Sequence, residues 1–446
     1  MRCMRFRVGI AIAGLATAVA GVSPLAAQES FTLGEAVREA LANHPSTAVA
    51  LEGVAGADAE IRQARASGLP TLSLQGEVVR YELPMVVAPL HTFDPARAPE
   101  FDETLIRSRA ILSWLLFDGH ATRASIEGSR AARDGLVAQR DDTSAKLIER
   151  TTKTYLETAV ARQVLEASEE RIIAVAAEQD RVERHLAEGR AAEVERLRAA
   201  AGLREAEADE ASARSVLRVR EGTLARLTGR DPSEIRVLRL EVPAPPEEAS
   251  LRADSEANLP PAVVAAQNRV RAAEAAFEAA RGARLPRVEA VAGLSQFGGA
   301  GSSTTAEWDA GIRVSWPIFT GGARSGAEEG AQAELRQARE GLRETELQLD
   351  DAVERADAGL DEAFARREAL KAATEALEEV TRIEALALDA GTGVQRDFLE
   401  AHASLLEARA GLAEAHAAIL ISHVSLARAT GQLDVAWLAE NMEGVR

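Results

Sequence analysis

Few residues in this chain are of the types and spacings that do chemistry. The seven histidines are dispersed. His416 and His423 stand a heptad apart and fall on one helix face, yet neither has a partner at metal-ligand spacing. The single cysteine is Cys3. Serine and aspartate are common, but no nucleophile motif or glycine-rich phosphate loop surrounds them. The run Gly298-Gly299-Ala300-Gly301-Ser302-Ser303 lies between two strand-like segments rather than before a helix, so it reads as a hairpin loop. These residues argue against an enzyme, and no cofactor or metal is expected. One acidic pair, Asp397 and Glu400, is three positions apart and shares a helix face. Taken alone, these are surface acids in an acid-rich helix.

The elements that carry these residues are unusual. From Gly119 to about Glu188 there is no proline and a steady supply of Ala, Glu, Arg and Leu, the residues that lose least on entering a helix. Such a helix would be roughly 105 Å long. A second stretch of this kind runs from about Ala323 to Ala390. Its apolar positions Leu349, Val353, Ala356, Leu360, Ala363, Leu370 and Leu377 step by coiled-coil intervals at first. Alanines at many other positions suit a wall of helices better than an isolated two-stranded coil.

The chain repeats itself. Leu69-Pro70 and Leu285-Pro286 each close a helix and open a period-two segment. Ser113-Trp114-Leu115-Leu116-Phe117-Asp118-Gly119 is answered by Ser315-Trp316-Pro317-Ile318-Phe319-Thr320-Gly321, Gly189 by Gly391, and Leu227-Thr228-Gly229 by Ala429-Thr430-Gly431. That series in one order marks an internal duplication. The expected division is a leader over 1–27, a first repeat over 28–229, a linker over 230–257 and a second repeat over 258–446. The first repeat has strands at about 71–81 and 104–117 and long helices at about 119–188 and 193–227. The second has strands at about 287–297 and 306–318 and long helices at about 323–390 and 394–429.

Arg2, Arg5 and Arg7, the apolar run Val8 to Val22 and the exit Pro24-Leu25-Ala26-Ala27 read as a secretory signal. Its removal takes away three arginines and no acid, moving the net charge from −18 to −21. A polyanionic surface argues against nucleic acid as a partner. Cys3 would leave with the leader, which excludes disulfides and thiol chemistry from the mature chain. After Val22 no apolar run is expected to cross a membrane as a helix, so membrane entry would require β-strands.

The hairpins could supply them. Val288, Ala290, Ala292 and Leu294, then Trp308, Ala310, Ile312, Val314, Trp316 and Ile318, alternate with charged or small residues. Trp308 and Trp316 are placed to sit near two membrane interfaces, with Trp114 at the matching point of the first repeat. A half-buried strand of a soluble sheet has the same pattern. Four strands cannot close a membrane barrel, whose smallest form has about eight. Several chains would have to share one barrel, continued in water by the rods.

The duplicated layout, the Leu-Pro strand entries, the signatures Trp114-Leu115-Leu116-Phe117-Asp118-Gly119 and Trp316-Pro317-Ile318-Phe319-Thr320-Gly321-Gly322, and the turn Gly391-Thr392-Gly393 resemble the TolC family of outer-membrane efflux ducts. The resemblance covers essentially the whole chain after the leader. It implies a mainly α protein with four strands per chain, forming a homotrimer with a twelve-stranded β-barrel and a periplasmic α-helical barrel. It also implies an outer-membrane location and a passive duct serving a periplasmic adaptor and an inner-membrane pump or ABC transporter. Drug, metal and protein export share this duct in the family. On this resemblance Asp397 and Glu400 become an acidic ring at the periplasmic aperture. Gly189, Arg190, Gly391, Thr392 and Gly393 become the helix-turn tips that an adaptor contacts. The family pattern leads one to expect a basic residue where Gly393 stands, with Arg190 or Arg396 as substitutes. The competing reading is a secreted coiled-coil scaffold without channel activity.

Overall fold

The computed structural model describes residues 30–91, 98–246, 259–390 and 392–442. The leader and Gly391 lie outside the described residues. In chain order the elements are β1 (Ser30–Phe31), α1 (Leu33–Asn43), α2 (Pro45–Ala66), β2 (Thr71–Val86), β3 (Phe101–Phe117), α3 (Ala121–Ala187) and α4 (Glu193–Thr228). They continue with α5 (Pro232–Val237), β4 (Arg239–Leu240), α6 (Pro261–Gly282), β5 (Arg287–Gly299) and β6 (Thr305–Ser315). Last come α7 (Ala323–Asp389), α8 (Gln395–Ala429) and α9 (Val435–Asn441).

The duplication has a metric signature. Helices α3 and α7 are each 67 residues long, and α2 and α6 are each 22. A helix of 67 residues is about 100 Å long. Each rod pairs with the shorter helix that follows it, α3 with α4 and α7 with α8. The preceding short helices also lie along them: α2 and α6 pack on α3, and α6 packs on α7.

Four strands form one antiparallel sheet in the order β2-β3-β5-β6. Strand boundaries differ from the sequence expectation: β3 begins at Phe101 and β5 runs to Gly299. Strand β2 continues to Val86, with a register shift between Arg80 and Met85. Strand β6 stops at Ser315, because Pro317 has no N–H for a ladder and extended pairing ends before it. Trp316 therefore stands just beyond the strand.

The main core lies midway along the rods, where β1 and β4 form a small parallel pair. Tyr155 on α3 ties that pair together. Its buried hydroxyl donates to the carbonyl of Phe31 and accepts from the N–H of Glu241 at 2.8 Å. Around it pack Leu156, Leu224, Ile235, Leu420, Val424 and Leu438. Each such fully buried side chain stabilises the fold by about 1.5–3 kcal/mol. Arg162 donates to the carbonyls of Ile235 and Leu238 and pairs with the buried Glu221 at 3.2 Å, so the charge it brings in is compensated. The seam of α7 against α8 is thinner, with Leu360, Ala363 and Phe364 packed on Ile419.

Helix α8 is long and apolar enough to cross a membrane by length and composition, contrary to the expectation that no such helix follows the leader. Its apolar residues Leu405, Leu406, Ile419, Leu420 and Val424 are buried against protein.

Candidate functional sites: the sheet faces and the rod tips

Side chains alternate across a strand, so register decides whether the apolar sets of four strands coincide. Here they do. Between the register shifts at the two ends, even-numbered residues pair with even-numbered residues from β2 through β6: Leu74 with Ala110, Ala110 with Leu294, and Leu294 with Trp308. The next even row joins Leu72, Leu112, Ala292 and Ala310, and another joins Trp114, Ala290 and Ile312. This apolar face is bare. Leu72, Leu74, Val78, Trp308 and Ile312 are 70–81% exposed. A half-buried strand of a soluble sheet would be covered on that side. Both outer edges, on β2 and β6, lack a ladder partner among the described residues.

The odd-numbered face carries the charges. Glu77 stands opposite Arg107, and Glu289 opposite Arg313. Arg109 on β3 reaches over β5 to Asp309 on β6, donating from Nη2 to both carboxylate oxygens at 2.9 and 3.1 Å. It crosses at Gly293, where a Cβ would meet Asp309 Oδ1 at 2.6 Å and Arg109 Nη2 at 2.9 Å. The missing side chain makes the crossing possible. At the far end of the sheet Glu307 meets His91 at 2.8 Å.

Trp114, Trp308 and Trp316 divide into two kinds. Trp114 donates its indole N–H to the carbonyl of Gly68 at 3.2 Å, and Trp316 donates to that of Arg284 at 3.1 Å. Gly68 and Arg284 are equivalent positions of the duplication, each two residues before the proline that opens a strand. Both rings thus fasten the junction between a short helix and the sheet. Trp308 makes no such bond among the described residues. It lies eight residues from Trp316, about 26 Å along an extended chain. Outward apolar bands of membrane barrels are about 25 Å tall.

At the opposite end of the molecule the rods turn. Helix α3 closes with a Schellman motif: Arg190 N–H bonds His185 O at 2.8 Å, and Gly189 N–H bonds Leu186 O at 2.9 Å. Gly189 takes a positive φ of 71°, which favours glycine. The Arg190 side chain pairs with Glu188. At the second tip, Thr392 and Gly393 both donate to Ala387 O, at 3.0 and 2.8 Å. A Cβ on Gly393 would lie 2.7 Å from the backbone nitrogen of Leu388 and 2.9 Å from the carbonyl carbon of Ala387. A side chain there would force the end of α7 to shift, which disfavours the basic residue that the family pattern suggests. Asp397 lies in the first turn of α8, where the helix dipole favours an acid, and meets Arg396 at 3.3 Å. Glu400 lies one turn on and is exposed.

Histidines give no second site. His423 is buried with its ring edge-on to Trp437 at 4.7 Å, and burial pushes its pKa down to about 4. Among the described residues no cluster of His, Cys, Asp and Glu suits a metal ion.

A protein-family profile described as "Outer membrane efflux protein" matches residues 36–230 and 254–432. The chain belongs to that family. No curated protein matches it. Its fold is that of solved outer-membrane channels. The outer membrane protein VceC of Vibrio cholerae superposes with a TM-score of 0.75 at 19% identity, over 90% of this chain and 96% of that one. The outer membrane channel CmeC of Campylobacter jejuni gives 0.75 at 17% identity, over 92% and 88%. The open state of the MtrE outer membrane channel of Neisseria gonorrhoeae gives 0.69 at 18%, over 90% and 88%. The family and these neighbours are channel proteins, not enzymes.

Proposed function

We propose that three copies of this chain form an outer-membrane channel. It is the passive exit duct of a tripartite efflux or type I secretion system, fed by an inner-membrane pump through a periplasmic adaptor. One observation carries the reading: four strands whose apolar residues coincide in register on one bare face, with both sheet edges open. Bare apolar surface of this extent is costly in water and at home in lipid. Open edges call for further strands, and a membrane sheet has to close on itself. Three sheets of four strands make a barrel of twelve, while the rods extend it as an α-helical tube through the periplasm.

In this arrangement the even-numbered face meets lipid and the odd-numbered face lines the pore. Trp308 sits at the outer interface and Trp114 and Trp316 at the inner one. The tips around Gly189, Arg190, Gly391, Thr392 and Gly393 face the adaptor. Asp397 and Glu400, repeated about the axis, make an acidic ring at the periplasmic aperture. A secreted coiled-coil scaffold accounts for the rods but has no use for the bare sheet face.

Electron microscopy of protein extracted in detergent from the outer-membrane fraction tests the proposal. A threefold particle with a detergent belt at one end and a tube of about 100 Å is expected. A belt-free or fibrous particle would overturn it.

A further inference from the structure

Resting on the channel reading, we infer that the β-barrel lining is charge-compensated, and that the Arg109–Asp309 pair over Gly293 keeps this part of the duct indifferent to the sign of its cargo. From Thr71 to Val78 on β2, from Leu105 on β3 and along β5 and β6, the odd-numbered positions carry four carboxylates, Glu77, Glu289, Glu307 and Asp309; a fifth, Glu103, lies nearer the β2–β3 connection and meets Arg80 at 3.3 Å. The same odd-numbered stretch also carries four guanidiniums, on Arg107, Arg109, Arg287 and Arg313. The same stretch of the even-numbered face, up to Val78 on β2, carries no charge at all.

The balance is local as well as total. Glu77 faces Arg107 in the ladder. Glu289 is held by Arg287 at 2.5 Å and faces Arg313. The Arg109–Asp309 pair is the member that the backbone itself accommodates, through the absence of a side chain at Gly293. Chance pairing of surface ions needs no such provision.

The chain as a whole is strongly acidic, at −18. A neutral lining therefore puts most of the excess negative charge outside the sheet. A pore wall of one net sign focuses field and holds ions of the opposite sign. Passage requires binding weak enough to release. A compensated wall releases cations and anions alike, so the barrel section of the duct does not sort cargo by charge.

The test is the reversal potential of the purified channel in planar bilayers under a potassium chloride gradient. Asp309→Asn, which leaves the Arg109 cation unopposed, is expected to shift selectivity towards chloride. Arg109→Gln is expected to shift it towards potassium. The double variant and the charge swap Arg109→Asp with Asp309→Arg are both expected to return to the wild-type value. Should a single variant fail to assemble, the swap and the double variant decide: a reversal potential displaced in either would overturn the inference. A wild-type pore whose reversal potential ignores both single variants would also overturn it while leaving the channel reading intact. Wild-type protein that forms no pore would overturn that reading and this inference with it.

Discussion

Arg109 and Asp309 are 200 positions apart and on non-adjacent strands, yet they share two hydrogen bonds across the backbone of Gly293. The pair joins the first hairpin to the second, so it links the two halves of the duplication directly. Both side chains are about half exposed, and a pair of that kind contributes no more than about 1 kcal/mol. Gly293→Ala is expected to push the two side chains apart and lower the thermal midpoint of detergent-solubilised protein by a few degrees at most. Adding Gly293→Ala to Asp309→Asn should cost little more, because the pair is already broken. Fully additive losses would mean that Gly293 serves something else.

Trp114 and Trp316 predict a symmetrical result. Replacing either by Phe keeps the ring and removes the N–H that reaches Gly68 O or Arg284 O. Each change is expected to cost about 0.5–1.5 kcal/mol in denaturant unfolding. Trp308→Phe removes no bond of this kind and should cost less. Equal losses at all three positions would argue that the indoles act only through lipid contact.

At the rod tips, Gly189 and Gly393 are expected to respond differently. Gly189→Ala meets open space but must hold a positive φ, at a cost of about 1 kcal/mol. Gly393→Ala or Gly393→Arg drives a Cβ into the last turn of α7 and should loosen the second tip. Limited proteolysis is expected to cut Gly393→Arg protein near residue 393 faster than Gly189→Ala protein near 189. Equal resistance would show that the turn has room for a side chain.

His423 predicts acid sensitivity. An unfolded histidine titrates near pH 6.5, whereas the buried ring holds out to about 4. Between those values the unfolded chain binds the extra proton, so stability falls as pH drops through the window. The loss is on the order of 3 kcal/mol, complete below about pH 4. His423→Phe should flatten the stability profile between pH 7 and 5. An unchanged profile would place the titrating group elsewhere.

Much of this architecture is legible in the sequence because it depends on periodicity. The proline-free runs around Leu156 and Leu360 have no alternative to long helices, and alternation at Ala290, Ala292 and Leu294 has no alternative to a strand. Position in the duplication also places Trp114 and Trp316 at matching points. What periodicity leaves out is contact between distant positions. Nothing local marks Tyr155 as the residue that ties Phe31 to Glu241, or Gly293 as more than a small residue in a strand. The strand end at Ser315 was readable from Pro317, which has no N–H to offer a ladder. Gly393 stands out in sequence only as a departure from a family pattern; its steric reason is the approach of Ala387 and Leu388, which no local pattern announces.

The most direct test of the account is whether β2 of one copy pairs with β6 of another. Cys3 is the only native cysteine, so Cys3→Ala gives a clean background. Leu74→Cys on β2 would be combined in turn with Ala310→Cys, Ile312→Cys and Val314→Cys on β6, and membranes oxidised before denaturing electrophoresis. The account predicts that at least one combination yields covalent dimers and trimers, with the ladder ending at three. Monomers in every combination, or a ladder that runs on beyond three, would contradict it.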